Sequence, residues 1–387
     1  MVPPAGKLEA VVAPRSGHFG EGFEGKVGPL AGEERAGACW HRRRGYQPGR
    51  VGTAGSFLYL PLPWSAIEAA KLPVRFPVIC GPTAGGKTAL ALAVAHTLAA
   101  QHALTAEIVT ADAFQIYRGM NIGTAKPPIE ERGGIAHHLI DIVDPAERFS
   151  VEQWLSAAEA CIESIRGRGA VPIVVGGTHL YIKALMEGLF EGPPPDAVLR
   201  AELSALDPTV RRAELERVDP SAAARIHFND ERRTVRALEI FRQTRRPLSQ
   251  WQSQWDAGTS RRDAVVVTLE WPVEELNRRI NARVKQMLAS GLVEEVRGLV
   301  PILGPQSREA IGYKQLVVAF DGGVSIEEAV ERIKIDSRRL GKSQRTWLRR
   351  LGTLPGAISV AGPEIGADGG QHEAANEIIR ALQVPSV

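Results

Sequence analysis

From residue 74 onward, short apolar runs alternate with longer stretches whose apolar positions recur every three or four residues. The short runs predict strands over Pro77–Cys80, Glu107–Thr110, Pro172–Val175 and Val265–Leu269. The longer stretches predict helices over Thr88–Ala100 and Val151–Arg166, with another beginning near Val273. Strands that alternate with helices in this way form a parallel sheet covered on its faces. After Pro193-Pro194-Pro195 the strand pattern stops, and residues 196–258 read as helical throughout. The expected organisation is a catalytic core over 74–195 and 259–352, a helical insertion over 196–258, and a tail with a final helix over 353–387.

The first 73 residues follow neither period. They hold 12 of the 39 glycines and a basic cluster, His41-Arg42-Arg43-Arg44. Such a segment cannot bury enough apolar surface to offset its ordering entropy, so it is expected to be a disordered, dispensable extension. The start MVPPAGKLEA lacks the basic and apolar regions of a secretory signal. Nowhere does an apolar run approach the ~18 residues that would cross a membrane. The three cysteines, Cys39, Cys80 and Cys161, are scattered, which indicates neither a disulfide framework nor a zinc site. A reducing cytoplasm is the expected location. The net charge of +3 and pI near 8.8 permit an acidic partner without requiring one.

The first predicted strand runs into Gly81-Pro82-Thr83-Ala84-Gly85-Gly86-Lys87-Thr88, a G-x-x-x-x-G-K-[ST] loop before a helix. Its glycines let successive N–H groups face an anion at the helix N-terminus; Lys87 adds positive charge, and the Thr88 hydroxyl suits Mg²⁺. The fold class is therefore α/β, a P-loop NTPase-like parallel sheet flanked by helices, with the mostly helical insertion. Hydrolytic P-loop enzymes add an apolar strand ending in an acid. Here the best such strand ends in Gly176-Gly177-Thr178, and the nearest strand-end acid is Asp112. Asp112 could hold a metal, accept a proton or simply cap a turn. The loop thus signals a diphosphate and leaves the reaction open.

Seven segments, in order, resemble the tRNA dimethylallyltransferase family of bacterial type: GPTAGGKT, DAFQIYRGMNIGTAKP, HHLIDIVDP, VGGTHLYIKALMEGL, ARIHFNDERRTVRALE, AIGYKQ and GKSQRTWLRR. The resemblance spans about residues 74–352. It implies transfer of a dimethylallyl group from its diphosphate to N6 of adenosine 37, beside the tRNA anticodon, with release of pyrophosphate. On this reading the P-loop holds the prenyl donor rather than ATP, Mg²⁺ is the cofactor, and the partner is the tRNA anticodon stem-loop. The chain is expected to act as a monomer with no membrane attachment.

The resemblance also implies roles for individual residues. Asp112 becomes the base that takes the N6 proton, and Thr83, Lys87, Thr88 and Arg283 contact the donor diphosphate. Asp112, Ala113, Phe114 and Gln115 form the segment that grips the base, with Ala113 where the family usually has serine. Thr178 and, 22 residues later, Arg200 match positions touching tRNA, as do Arg232, Arg233 and Arg236 in the insertion. Gly312 and Tyr313 are expected on the same surface. If the C-terminal basic stretch is helical, Arg338, Lys342, Arg345 and Arg349 fall on one stripe suited to phosphates.

Three other functions use parts of the same sequence. An adenylate isopentenyltransferase would share the P-loop but has less need of the insertion and the basic helix. A small-molecule kinase would use the loop for ATP. A non-catalytic RNA-binding protein would have no use for Lys87, Thr88 and Asp112 together.

Overall fold

The computed structural model describes residues 75–190, 192–252, 260–362 and 369–383. The expected disordered extension, residues 1–73, lies outside the described residues. Six parallel strands form one sheet: β1 (Phe76–Cys80), β2 (Ala106–Ala111), β3 (His137–His138), β4 (Val171–Gly176), β5 (Ala264–Glu270) and β6 (Ile358–Ala361). Their order across the sheet is β3-β2-β4-β1-β5-β6. The central strands β1 and β4 are buried along their whole length. That explains why they read as continuous apolar runs rather than alternating ones.

Helices α1 (Lys87–His102) and α2 (Val151–Gly167) follow the strands as expected. α2 begins at Ser150, whose hydroxyl accepts from the Gln153 N–H while the Gln153 side chain accepts from the Ser150 N–H. This reciprocal cap fixes where the helix starts. The short α3 (His179–Glu187) leaves the end of β4. At that end Gly176 passes so close to β2 that a Cβ would sit 2.0 Å from the Ala111 carbonyl oxygen. Only glycine lets the two strand ends converge there.

The insertion contains α4 (Ala197–Ala205), α5 (Pro208–Val218), α6 (Pro220–Arg225), α7 (Glu231–Thr244) and α8 (Leu248–Trp251). It has its own apolar cluster, centred on Leu203, Leu215, Leu238 and Ile240. Aspartates start four of these helices, at 196, 207, 219 and 230, each accepting first-turn N–H groups. Beyond β5 come α9 (Val273–Ala289), α10 (Leu292–Leu299), α11 (Tyr313–Phe320) and α12 (Ile326–Leu351). They pack on a second cluster that includes Val284, Leu292, Val296, Tyr313 and Ile333. The tail adds β6 to the sheet edge and α13 (Gly370–Ala381), whose Ala375, Ile378 and Ile379 join the core beside α1. No helix of the described residues is long and apolar enough to cross a membrane.

Candidate active site

A cavity of about 400 Å³ opens at the carboxyl ends of the strands, where β1, β2 and β4 deliver the P-loop, Asp112 and Gly177. In open parallel sheets this end is where ligands bind. The P-loop is held from several directions. The Gly85 N–H donates to the Pro82 carbonyl at 3.1 Å, closing the turn, and Gly86 precedes α1 in the left-handed conformation. Trp271 Nε1 donates to the Gly85 carbonyl at 3.1 Å, and Arg279 Nε to that of Ala84 at 2.9 Å. Arg279 also lies over the Trp271 ring, 4.3 Å from its centroid. These contacts leave the Lys87 and Thr88 N–H groups, at the start of α1, to meet an anion, since first-turn N–H groups have no acceptor within their helix.

Lys87 Nζ donates to the Pro82 carbonyl at 2.8 Å and lines the cavity with Thr83, Thr88 and Arg283. Burial pushes the Lys87 ammonium down from 10.5 to about 8, and the Arg283 guanidinium adds to the shift; Asp112 acts in the opposite sense. Arg283 is not the solvated helix arginine its sequence context allows. Its Nη1 donates to Thr83 Oγ1 at 3.3 Å; burial works against its charge and the Asp112 carboxylate works for it. Two cations beside a cradle of N–H groups make a site for a multiply charged anion.

Asp112 takes the turn-cap role that its sequence allowed. Its Oδ1 accepts the Phe114 N–H at 2.9 Å and the Gln115 N–H at 3.3 Å, which is a turn cap. Its Oδ2 has no hydrogen-bond donor among the described residues, and Asp112 lines the cavity. Thr178 Oγ1 accepts the Ala113 N–H at 3.0 Å, so the residue that precedes α3 also holds this turn. Gln115 Nε2 donates to the carbonyls of Thr124 and Ala125.

Much of the rest of the cavity is aliphatic, although Glu309 and Ser337 also line it. α9 contributes Ile280, Val284 and Met287, and α12 contributes Ile333 and Leu340, with Leu292 between them. Charged anion-binding groups therefore face an aliphatic lining within one space.

Gln344, which the sequence reading missed, joins these parts. Its Oε1 accepts the Thr83 N–H at 2.7 Å and its Nε2 donates to the Gly177 carbonyl at 3.0 Å. The signal was available: Ile333, Gly341, Gln344 and Leu348 share the buried face of α12, so Gln344 is a polar side chain where the helix pattern asks for an apolar one.

Several expected tRNA contacts are placed differently from one another. Arg232 and Arg233 are exposed on α7, and Lys342 and Arg349 are exposed on α12 with Arg345 half-buried. Arg338 instead donates to Asn281 Oδ1. Arg200 and Arg236 both pair with the fully buried Glu239, at 3.0 and 2.5 Å. Gly312 lines the cavity, but Tyr313 is fully buried, with its hydroxyl on Glu295. The expectation of Tyr313 on an outer surface is corrected: the apolar cluster takes the ring, and only the hydroxyl finds a polar partner. Cys80 and Cys161 are buried, and burial pushes the Cys80 thiol up to about 12.

The family described as IPP transferase matches residues 115–351. A tRNA dimethylallyltransferase of Rhodopirellula baltica is 42% identical over 291 residues, covering 72% of this chain and 86% of that protein. One from Geobacillus kaustophilus is 45% identical over 285 residues, covering 71% and 87%. Among solved structures, a tRNA isopentenylpyrophosphate transferase from Bacillus halodurans superimposes with TM-score 0.59 at 36% identity, over 80% of this chain and 97% of that one. A eukaryotic dimethylallyltransferase acting on tRNA gives TM-score 0.66 at 27% identity, over 80% of each chain.

Proposed function

The chain belongs to the IPP transferase family, and from that premise we propose that it transfers a dimethylallyl group from dimethylallyl diphosphate to N6 of adenosine 37 in tRNA. The observation that carries the donor assignment is the cavity itself. A prenyl diphosphate is an anion joined to a short hydrocarbon, and this cavity joins an anion cradle to an aliphatic lining.

The chemistry follows from the same groups. Breaking the C1–O bond of the donor places charge on the departing diphosphate. The P-loop N–H groups, Lys87 and Arg283 are preorganised to receive it, which is worth more in a water-excluded site than in solution. The N6 lone pair forms the new bond to C1. Its proton leaves to Asp112 Oδ2, the oxygen not used by the turn. Products are the prenylated base, pyrophosphate and a protonated Asp112.

Among the described residues no cluster of three or more metal-ligating side chains exists. Mg²⁺ is commonly held by one or two protein groups and the oxygens of a phosphate substrate. Thr88 would hold it here, and the ion would neutralise charge on the leaving diphosphate.

The insertion and the α12 stripe favour tRNA over a free nucleotide. Arg232, Arg233, Lys342, Arg345 and Arg349 offer a phosphate-binding surface that AMP does not need. A cytoplasmic location and the anticodon loop as the contacted region belong to the same reading. The test is a transfer assay with labelled dimethylallyl diphosphate and Mg²⁺, offering unmodified tRNA and AMP together. Label on tRNA supports the proposal; label on AMP, or ATP turnover without prenyl transfer, overturns it.

A further inference from the structure

Tyr313 belongs to the interior, and its surroundings give it a different role. Glu295, on α10, takes three consecutive backbone N–H groups: Asn121 at 3.0 Å and Ile122 at 2.7 Å on Oε2, and Gly123 at 3.0 Å on Oε1. Successive N–H groups converging on one point form an anion-binding concavity. Here the protein fills it with its own carboxylate. The Tyr313 hydroxyl donates to the same Oε1, so the carboxylate is held from the helix side and holds the loop on the other.

The loop is also fixed by shape. A Cβ on Gly123 would sit 2.4 Å from Tyr313 Cε2, so the chain passes against the ring edge with room for hydrogen only. Beyond Gly123, Lys126 Nζ donates to Tyr117 O at 2.8 Å and to Asn121 Oδ1 at 2.9 Å. Residues 121–126 are thereby anchored at both ends.

Between the anchors lie the two carbonyls that receive Gln115. Thr124 O and Ala125 O accept from Gln115 Nε2 at 3.1 and 3.2 Å. Two carbonyl oxygens can only accept, so the amide must present its nitrogen to them. Its oxygen is then the atom left for a ligand in the cavity, an acceptor suited to an amino group of a base. The orientation of Gln115 depends on where 124 and 125 lie, and that depends on Glu295.

We propose that Glu295 and Tyr313 are positioning residues for the acceptor base, acting through the loop of residues 121–125 and the amide of Gln115. This rests on the reading of residues 112–115 as the segment that grips the base in prenyl transfer. Tyr313 and Glu295 touch neither donor nor base on this account. They set the geometry of a group that does.

The test is a double-mutant cycle on the full chain. Tyr313→Phe keeps the ring and removes the hydroxyl. It should lower kcat/KM for tRNA by about tenfold, the effect of roughly 1.4 kcal/mol. The KM for dimethylallyl diphosphate should change by less than about twofold, a split that general loss of structure would not produce. In a Gln115→Ala background Tyr313→Phe should have little further effect, because both act through one contact. An equal rise in donor KM, or an undiminished effect of Tyr313→Phe in that background, would overturn the proposal while leaving prenyl transfer intact. Absence of transfer to tRNA by the unaltered enzyme would overturn both.

Discussion

Gln344 accepts the Thr83 N–H at 2.7 Å, so the tip of the P-loop is held by a helix 261 residues further along the chain. The other end of the same side chain donates to Gly177, at the end of β4. The donor cradle is therefore completed only when α12 has docked on the sheet.

Removing that tie should affect donor binding first. Gln344→Ala leaves the Thr83 N–H and the Gly177 carbonyl without partners, a loss on the order of 1–3 kcal/mol. The expected result is a donor KM raised by roughly tenfold, with tRNA affinity little changed in a filter-binding or anisotropy measurement.

The two oxygens of Asp112 make separate predictions. Asp112→Asn keeps an acceptor for the Phe114 and Gln115 N–H groups and removes the base. Turnover should fall by about 10²–10⁴, the usual range for one general base, with tRNA binding retained. Turnover close to the unaltered enzyme would show that the N6 proton leaves by another route.

Lys87 gives a pH dependence whose sign is fixed. In the free enzyme it titrates at about 8, and a bound diphosphate favours its charged form. Binding therefore takes up a proton above pH 8. Donor affinity should be full below that pH and decline as pH rises toward the higher value of the complex. The check is kcat/KM for the donor against pH, which should lose this limb in Lys87→Ala.

The aliphatic lining separates the two halves of the donor. Val284→Thr is close to isosteric but places a hydroxyl in the apolar part of the cavity, at a position 3% exposed. Donor binding should weaken by about 1 kcal/mol, while inhibition by inorganic pyrophosphate should be unaffected. Equal losses for both would mean that the prenyl chain lies elsewhere.

Arginines of the insertion should fall into two groups. Arg236→Ala leaves Glu239, 0% exposed, short of a partner and should lower stability by about 1–3 kcal/mol. Arg232→Ala and Arg233→Ala, on exposed side chains, should leave the unfolding temperature alone. They should weaken tRNA binding and flatten its salt dependence.

Much of the core was readable because its signals are local. The four predicted strands and the helices after them lie within a residue or two of β1, β2, β4, β5, α1, α2 and α9. The P-loop could be placed because its chemistry and its turn are contiguous. Two strands escaped notice: β3 spans two residues and pairs only with β2, and β6 is a four-residue edge strand. What could not be read was pairing across distance. Nothing near Glu295 announces that its carboxylate will cap a loop more than 170 residues earlier. Nothing near Arg200 shows that it will meet Glu239, 39 residues further on, where Arg236 of the same helix already pairs with that carboxylate, and a basic residue looks the same in sequence whether its partner is a phosphate or a buried carboxylate. Tyr313 was misplaced for a related reason. The family resemblance suggested a surface, whereas one buried acceptor satisfies its hydroxyl and the ring belongs to the apolar cluster.

The central claim is that one adenosine of tRNA receives the prenyl group held in this cavity. It is tested most directly by mass spectrometry of nuclease digests after incubating unmodified tRNA with the enzyme, dimethylallyl diphosphate and Mg²⁺. The account predicts a gain of one dimethylallyl unit on a single adenosine next to the anticodon, absent with Asp112→Asn over the same time. Unmodified tRNA, or a prenyl unit spread over several nucleotides, would contradict it.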